Sequence, residues 1–115
     1  MLKVKRVYEP VARGDGKRFL VERLWPRGVK KESLADVEWL PDVAPSTGLR
    51  RWFAHRADRW REFQRRYGKE LDGDRDAWAP LARAARRGNV TLLFSARDVE
   101  HNNAVALKAY LEKRK

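Results

Sequence analysis

The chain has no cysteine and only two histidines among its 115 residues. The absence of cysteine excludes a disulfide framework and every thiolate metal site. A zinc ion held by His55 and His101 would need unusual help from carboxylates. The sequence therefore predicts neither a metal centre nor a cofactor.

Long hydrophobic runs are also missing. No stretch approaches the roughly 20 apolar residues of a membrane span. Residues 1–7 interleave lysine and arginine with apolar residues, whereas a signal peptide needs an uninterrupted hydrophobic segment. These two absences predict a cytoplasmic protein that does not contact a membrane.

Acidic residues are scarce compared with basic ones. The chain carries 27 Lys and Arg against 16 Asp and Glu, for a net charge of +11 at neutral pH. Its hydrophobic fraction of 43% is high enough to build a core rather than a disordered tail. A chain of this length has no room for a second domain, so residues 1–115 are expected to form one basic domain.

Hydrophobic spacing predicts alternating strands and helices. Near alternation at 2–8 and 18–25 predicts two strands, and a short extended piece is expected within 34–40. The continuous apolar run at 90–94 predicts a strand buried on both faces and therefore central. Helical spacing covers 49–54, 57–68, 78–87 and 101–113, with Pro80 placed in a first turn. The predicted fold class is α/β: a small domain with a few-stranded, mainly parallel sheet flanked by helices.

The first candidate site follows the second predicted strand. Arg23 and Arg27 flank Trp25 and a proline, so two guanidiniums are available to grip a phosphate or carboxylate beside an apolar indole wall. The alternative is structural, with Glu22 forming an internal ion pair and Trp25 covering the core.

The second candidate site lies between the last strand and the last helix. Ligands of open α/β sheets bind at the carboxyl ends of the strands, and a helix amino terminus attracts anions. Arg97 and Asn102 are candidate ligand contacts there, and His101, with Asp98 nearby, is the acid–base candidate if a reaction occurs. The alternative assigns Asp98 to capping the helix. His55 lies at a helix junction. It either faces the same cleft, at the carboxyl ends of the strands, or has a structural role.

A third candidate is the arginine-rich stretch at 50–66. Arginines interleaved with aromatic residues are compatible with binding nucleic acid, with Arg59, Arg61 and Arg65 as the proposed contacts. The same spacing fits an ordinary amphipathic helix whose aromatic side chains face the core.

These motifs together resemble one family, the small bacterial YeaO-like proteins, which belong to a larger group known as a domain of unknown function. The segments that carry the resemblance are RLWPRG at 23–28, LRRWFAH at 49–55, RWREF at 59–63, VTLLFSARD at 90–98 and HN at 101–102. The resemblance implies a small α/β domain of the bacterial cytoplasm with no established reaction.

Longer relatives in that group carry a cysteine at the end of the last strand and a Cys-His-Arg element near the start of the last helix. This chain has Ser95 or Ala96 at the first position and His101, Asn102 and Asn103 at the second. The difference argues against the thiol chemistry suggested for those relatives, and the retained histidine is consistent with a binding cleft.

The leading hypothesis is therefore a cleft that binds a small anionic ligand, such as a phosphate or nucleotide, at the carboxyl ends of the strands. The residues expected to line it are Arg23, Trp25, Arg27, Arg97, His101 and Asn102. The alternative is a non-catalytic module that binds nucleic acid through Arg59, Arg61 and Arg65. An exposed arginine face that docks an acidic protein is a third hypothesis.

Overall fold

Four parallel strands within residues 1–114 form one sheet. The computed structural model describes residues 1–114 and contains the strands β1 (Leu2–Arg6), β2 (Lys17–Leu20), β3 (Glu38–Trp39) and β4 (Val90–Phe94). They lie in the order β1-β4-β2-β3, and each neighbouring pair is parallel. Leu92 of β4 lies opposite Val4 on one side and Phe19 on the other. The predicted α/β fold with a parallel sheet is confirmed.

The apolar run of β4 explains its central position. All five of its residues are buried. Leu92 and Phe94 belong to the main hydrophobic core, whereas Leu93 packs in a second cluster with Leu20 and Leu34. Because successive side chains of a strand point to opposite faces, a strand that is apolar throughout needs cover on both.

In the described part of the chain, four α-helices pack on the face that carries Leu92 and Phe94. They are α1 (Thr47–Phe53), α2 (Trp60–Asp72), α3 (Arg75–Arg87) and α4 (Asn103–Glu112), and each contributes buried side chains to the main core. Phe63, Tyr67 and Leu71 form the buried stripe of α2, as its helical spacing indicates. None of the helices within residues 1–114 is long and apolar enough to span a membrane.

Loops rather than helices cover the opposite face. The chain between β2 and β3 places Trp25, Val29 and Val37 against the second cluster. The indole Nε1 of Trp25 donates a hydrogen bond of 2.6 Å to the carbonyl of Val29. Trp25 therefore closes the core, in agreement with the structural alternative for this residue.

The amino ends of β2 and β4 meet in a tight contact. Gly16 has a φ of 63°, and a Cβ at this position would lie 2.0 Å from the carbonyl oxygen of Asn89. The Lys17 N–H donates to the same oxygen at 3.0 Å. Only glycine fits here, because the backbone is left-handed and the neighbouring chain leaves no space for a side chain.

The first three strands are shorter than predicted. The strand expected at 18–25 spans Lys17–Leu20, and Val21 makes one further hydrogen bond to Leu93 before the chain leaves the sheet. Glu22 and Arg23 follow in a loop. Their charged groups form hydrogen bonds there that they could not form from a strand inside the sheet. The first strand spans Leu2–Arg6, and the extended piece at 34–40 is only Glu38–Trp39.

The helices are present as predicted, but their ends differ. The helix predicted at 57–68 is α2, which follows a 3₁₀ turn at Ala57–Arg59. The helix predicted at 78–87 begins earlier, at Arg75, so Pro80 lies inside α3 rather than in its first turn. Its ring removes one backbone hydrogen bond, which the packing of α3 on the core offsets.

The cap of the last helix is also different from the one predicted. α4 begins at Asn103, and the side chain of Asn102 accepts a hydrogen bond from the N–H of Val105 at 2.9 Å. Asn102 is therefore the N-cap, and the assignment of that role to Asp98 is wrong.

Candidate functional site

A cavity of about 420 Å³ opens at the carboxyl end of β2. Its walls come from the loop after β2, from α1 with the segments that flank it, and from the start of α4. The polar residues that line it are Glu22, Arg23, Thr47, Arg50, Arg51, His55 and Asn103. This is the edge of a parallel sheet at which ligands ordinarily bind.

Glu22 is the acidic group of the cavity. Its Oε2 accepts a hydrogen bond of 3.0 Å from the backbone N–H of Ser95, the first residue after β4. The indole of Trp39 donates to the Glu22 carbonyl at 2.6 Å, so both ends of the residue are held. Burial raises the pKa of the Glu22 carboxyl, and the Ser95 hydrogen bond and the nearby Arg50 and His55 only partly oppose this. Glu22 therefore accepts a proton more readily than an exposed glutamate does.

Arg23 forms a rigid part of the wall. Its Nε donates to the carbonyl of Pro45 at 3.1 Å, and its Nη2 donates to that of Ala44 at 2.9 Å. These bonds tie the loop after β2 to the segment that leads into α1. Arg23 thus contributes positive charge from a fixed position.

Arg50 and Arg51 supply positive charge that is not tied to another side chain. Both are exposed residues of α1, and no hydrogen bond or ion pair within residues 1–114 engages either guanidinium. An arginine without a protein partner at the mouth of a cavity is available to a phosphate or carboxylate.

His55 reaches the cavity through an unusual turn. Ala54 and His55 have φ values of 46° and 57°, so two consecutive residues with side chains adopt the left-handed conformation after α1. Each such residue costs about 1 kcal/mol or more. This turn brings His55 to the cavity.

Asp98 and His101 form a pair outside the lining of this cavity. Oδ2 of Asp98 lies 3.0 Å from Nδ1 of His101, and Oδ1 accepts the backbone N–H groups of Glu100 at 2.9 Å and His101 at 3.0 Å. These backbone and side-chain hydrogen bonds lower the pKa of Asp98. The imidazole also packs edge-on against Trp60, with 5.2 Å between ring centroids. The two side chains are in contact, and the hydrogen bonds of Asp98 all lie within the loop before α4.

The other predicted ligand residues do not converge on the cavity. Asn102 is buried, and besides capping α4 it donates from Nδ2 to the Asp98 carbonyl at 2.9 Å. Its neighbour Asn103 lines the cavity instead and donates to the Val21 carbonyl at 2.6 Å. Arg27 and Arg97 are exposed and lie outside the lining, and Trp25 belongs to the loop-covered face.

Arg50 and Arg51 line the cavity, although the sequence indicates for them only an arginine-rich helix. Of the two asparagines after His101, Asn102 is the predicted ligand contact, whereas Asn103 lines the cavity. Arg23, by contrast, was predicted and lies in the lining. No group of three or more histidine, aspartate or glutamate side chains that fits a metal ion occurs in the described part of the chain.

Comparison with known proteins gives a family and no activity. The family described as the inactive DUF488-N3 subclade matches residues 1–115. The chain is 40% identical over 110 residues to the uncharacterized protein YeaO of Escherichia coli (strain K12), and the matched region covers 96% of each chain. It is also 40% identical over 113 residues to the uncharacterized protein Rv3073c of Mycobacterium tuberculosis (strain ATCC 25618 / H37Rv), covering 98% of this chain and 95% of that protein. No solved structure matches the chain. The resemblance to YeaO-like proteins is thus confirmed, and the chain belongs to the inactive DUF488-N3 subclade, a family of uncharacterised proteins.

Proposed function

We propose that this protein binds a small anionic ligand, phosphate-like or nucleotide-like, in the cavity at the carboxyl end of β2. The observation that carries the proposal is the pair Arg50 and Arg51, which line the cavity and whose guanidiniums make no hydrogen bond or ion pair within residues 1–114. Arg23 and His55 add positive or protonatable groups to the same wall. The volume of about 420 Å³ falls within the range of small-molecule sites.

Glu22 restricts the chemistry of the ligand. A carboxylate repels a bare anion, whereas it accepts a hydrogen bond from an N–H or O–H group. A ligand with an anionic group at Arg50 and Arg51 and a donor group towards Glu22 satisfies both sides of the cavity. A nucleotide has this combination, and so does an inorganic phosphate ion that carries a proton.

The proposal is binding without turnover. The description of the family as inactive supports this. The Asp98–His101 pair keeps acid–base geometry, but the cavity described here does not include it.

Thermal unfolding with inorganic phosphate, ribonucleoside monophosphates and the uncharged nucleosides tests the proposal. A ligand at about 100 times its Kd adds about 2.7 kcal/mol to stability, which for a domain of this size is a shift on the order of 10 °C. We expect such a shift from a monophosphate, and we expect it to persist at high salt. No shift with any monophosphate would overturn the proposal.

Matched arginine variants locate the site. Arg50→Gln with Arg51→Gln is expected to abolish the shift. Arg97→Gln is expected to leave it unchanged, since Arg97 is exposed but lies outside the cavity. A loss with Arg97→Gln and none with the double variant would move the site to the loop before α4.

A further inference from the structure

The carboxyl-terminal half of α3 carries a dense group of cations. Arg83, Arg86 and Arg87 of α3, together with Lys17 at the start of β2, form what we call the α3 basic surface. Two shallow depressions of about 630 and 400 Å³ meet there, and Arg83 lines both. Gly88 and Asn89 join α3 to the start of β4, so this surface lies at the amino edge of the sheet, away from the Glu22 cavity.

The three arginines of this surface are available to a partner. Within residues 1–114, no ion pair or side-chain hydrogen bond engages Arg83, Arg86 or Arg87. Lys17 makes an exposed contact of 3.4 Å with Glu38, which salt screens and which adds little stability.

The arginines of α2 differ in this respect. Both terminal oxygens of Glu62 bind Arg65, at 2.7 and 2.6 Å, and one of them also binds Arg66 at 2.8 Å. Arg59 donates to the carbonyl of Trp52. Of the predicted nucleic-acid contacts Arg59, Arg61 and Arg65, two are therefore engaged within the protein. By contrast, none of Arg83, Arg86 and Arg87 on α3 is engaged within residues 1–114.

Apart from Glu38, which contacts Lys17, the acidic groups that border this surface within residues 1–114 lie towards the amino-terminal end of α3. Asp72 and Asp76 border the larger depression, and Asp72 is already bonded to Tyr110 at 2.6 Å and Arg114 at 2.9 Å. The smaller depression has no acidic residue in its lining. Cations in the last turn of a helix stabilise its dipole, but this does not account for Arg83, one turn earlier, or for Lys17 on β2.

The composition of the surface distinguishes between polyanionic partners. Protein interfaces are anchored by large apolar or aromatic side chains that enter the partner. Trp78 and Tyr110, the aromatic residues of the larger depression, are buried, and only Met1 is a large exposed apolar side chain beside Arg86. A phosphate backbone, by contrast, needs cations and no apolar anchor. We infer that the α3 basic surface binds the phosphate backbone of double-stranded nucleic acid without sequence preference.

Fluorescence anisotropy with a labelled mixed-sequence DNA duplex, measured over a series of salt concentrations, tests this inference. The logarithm of the affinity falls by about 0.9 per phosphate contact for each tenfold rise in salt. Three contacts therefore correspond to a loss of about 40-fold between about 50 and about 200 mM salt. The triple variant Arg83→Gln, Arg86→Gln, Arg87→Gln is expected to lose that part of the salt dependence. By the same relation, its affinity for the duplex at the lower salt concentration should fall by roughly tenfold or more.

The matched control is Arg59→Gln, Arg61→Gln, Arg65→Gln on α2. It removes the same charge and is expected to bind the duplex more tightly than the α3 variant does. Equal losses in the two variants would show that net charge alone attracts DNA, and this would overturn the assignment to α3. Far-ultraviolet circular dichroism of both variants confirms that the helices remain, since glutamine is a good helix former.

Competition with polyglutamate separates a nucleic acid from an acidic protein. We expect polyglutamate to displace the duplex only weakly at matched charge. If polyglutamate displaced the labelled duplex as effectively as unlabelled duplex does, the inference would be overturned. The partner would then be an acidic protein.

Discussion

The carboxylate of Glu22 and the backbone N–H of Ser95 are joined by a hydrogen bond of 3.0 Å that links the ends of two adjacent strands. Glu22 follows β2, and Ser95 is the first residue after β4. The bond fixes one wall of the cavity and places a carboxyl group where burial raises its pKa.

Replacement of Glu22 changes the pH dependence of stability. The ordinary pKa of a glutamate is 4.5, and that of Glu22 is higher in the folded protein. The folded state therefore holds the proton more tightly than the unfolded chain, and ionisation of Glu22 lowers stability as pH rises between these two values. Glu22→Gln removes this cost, so the variant gains stability relative to the wild type across that interval and keeps the gain at neutral pH.

Urea unfolding at a series of pH values measures the difference. Glu32→Gln is the control, because Glu32 is exposed on a short 3₁₀ turn. Parallel stability curves for Glu22→Gln and the wild type would contradict the prediction.

Asn102 is expected to contribute to stability through the cap of α4. Asn102→Ala removes the acceptor for the Val105 N–H and the donor to the Asp98 carbonyl. The expected loss is about 1–2 kcal/mol in the free energy of unfolding. Asn102→Asp keeps the acceptor and should recover part of the loss. A loss below about 0.5 kcal/mol for Asn102→Ala would be inconsistent with a cap.

Gly16 is expected to tolerate no side chain. Gly16→Ala puts a Cβ against the Asn89 carbonyl in a left-handed backbone conformation. We expect a loss of at least about 2 kcal/mol, of which 1–2 kcal/mol comes from the backbone alone. Gly48→Ala is the control, since Gly48 is helical with open space around it and should gain up to about 1 kcal/mol. Chemical denaturation of both variants gives the comparison, and similar effects at the two sites would refute the argument.

The turn after α1 stores strain that a single substitution can release. Ala54 has a φ of 46°, which costs alanine about 1 kcal/mol and costs glycine almost nothing. After the larger entropy of glycine in the unfolded chain is subtracted, Ala54→Gly should gain about 0.5 kcal/mol. Ala35→Gly should lose a similar amount, because Ala35 has an ordinary helical φ of −60°. Loss of stability in both variants, measured by urea unfolding, would show that Ala54 is not strained.

The sequence predicts the architecture better than the cavity, for physical reasons. The apolar run of β4 and the helical spacing of α2 are local patterns, and each follows from which faces are buried. The contact between Glu22 and Ser95 joins residues far apart in the chain, and it depends on β4 pairing with β2, which no local pattern determines. Arg50 and Arg51 belong to a segment whose charge pattern resembles a solvated helix face, so only their position beside β2 indicates the cavity.

The difference between the predicted and the observed asparagine of the cavity is one position in the sequence. Asn102 and Asn103 are adjacent and chemically identical, but Asn102 caps α4 and Asn103 faces the cavity. Their roles depend on where the helix begins, and helix ends are the part of a helix that sequence patterns define least well.

The central position of β4 has a consequence for how the chain reaches its native state. β4 pairs with both β1 and β2, and β2 otherwise pairs only with the two residues of β3. Until residue 94 has left the ribosome, β1 has no strand beside it and the Leu92 layer of the core does not exist. The chain must therefore be synthesised as far as β4 before the sheet can close. Until then β1 lacks its neighbour, and β2 has the two residues of β3 to pair with.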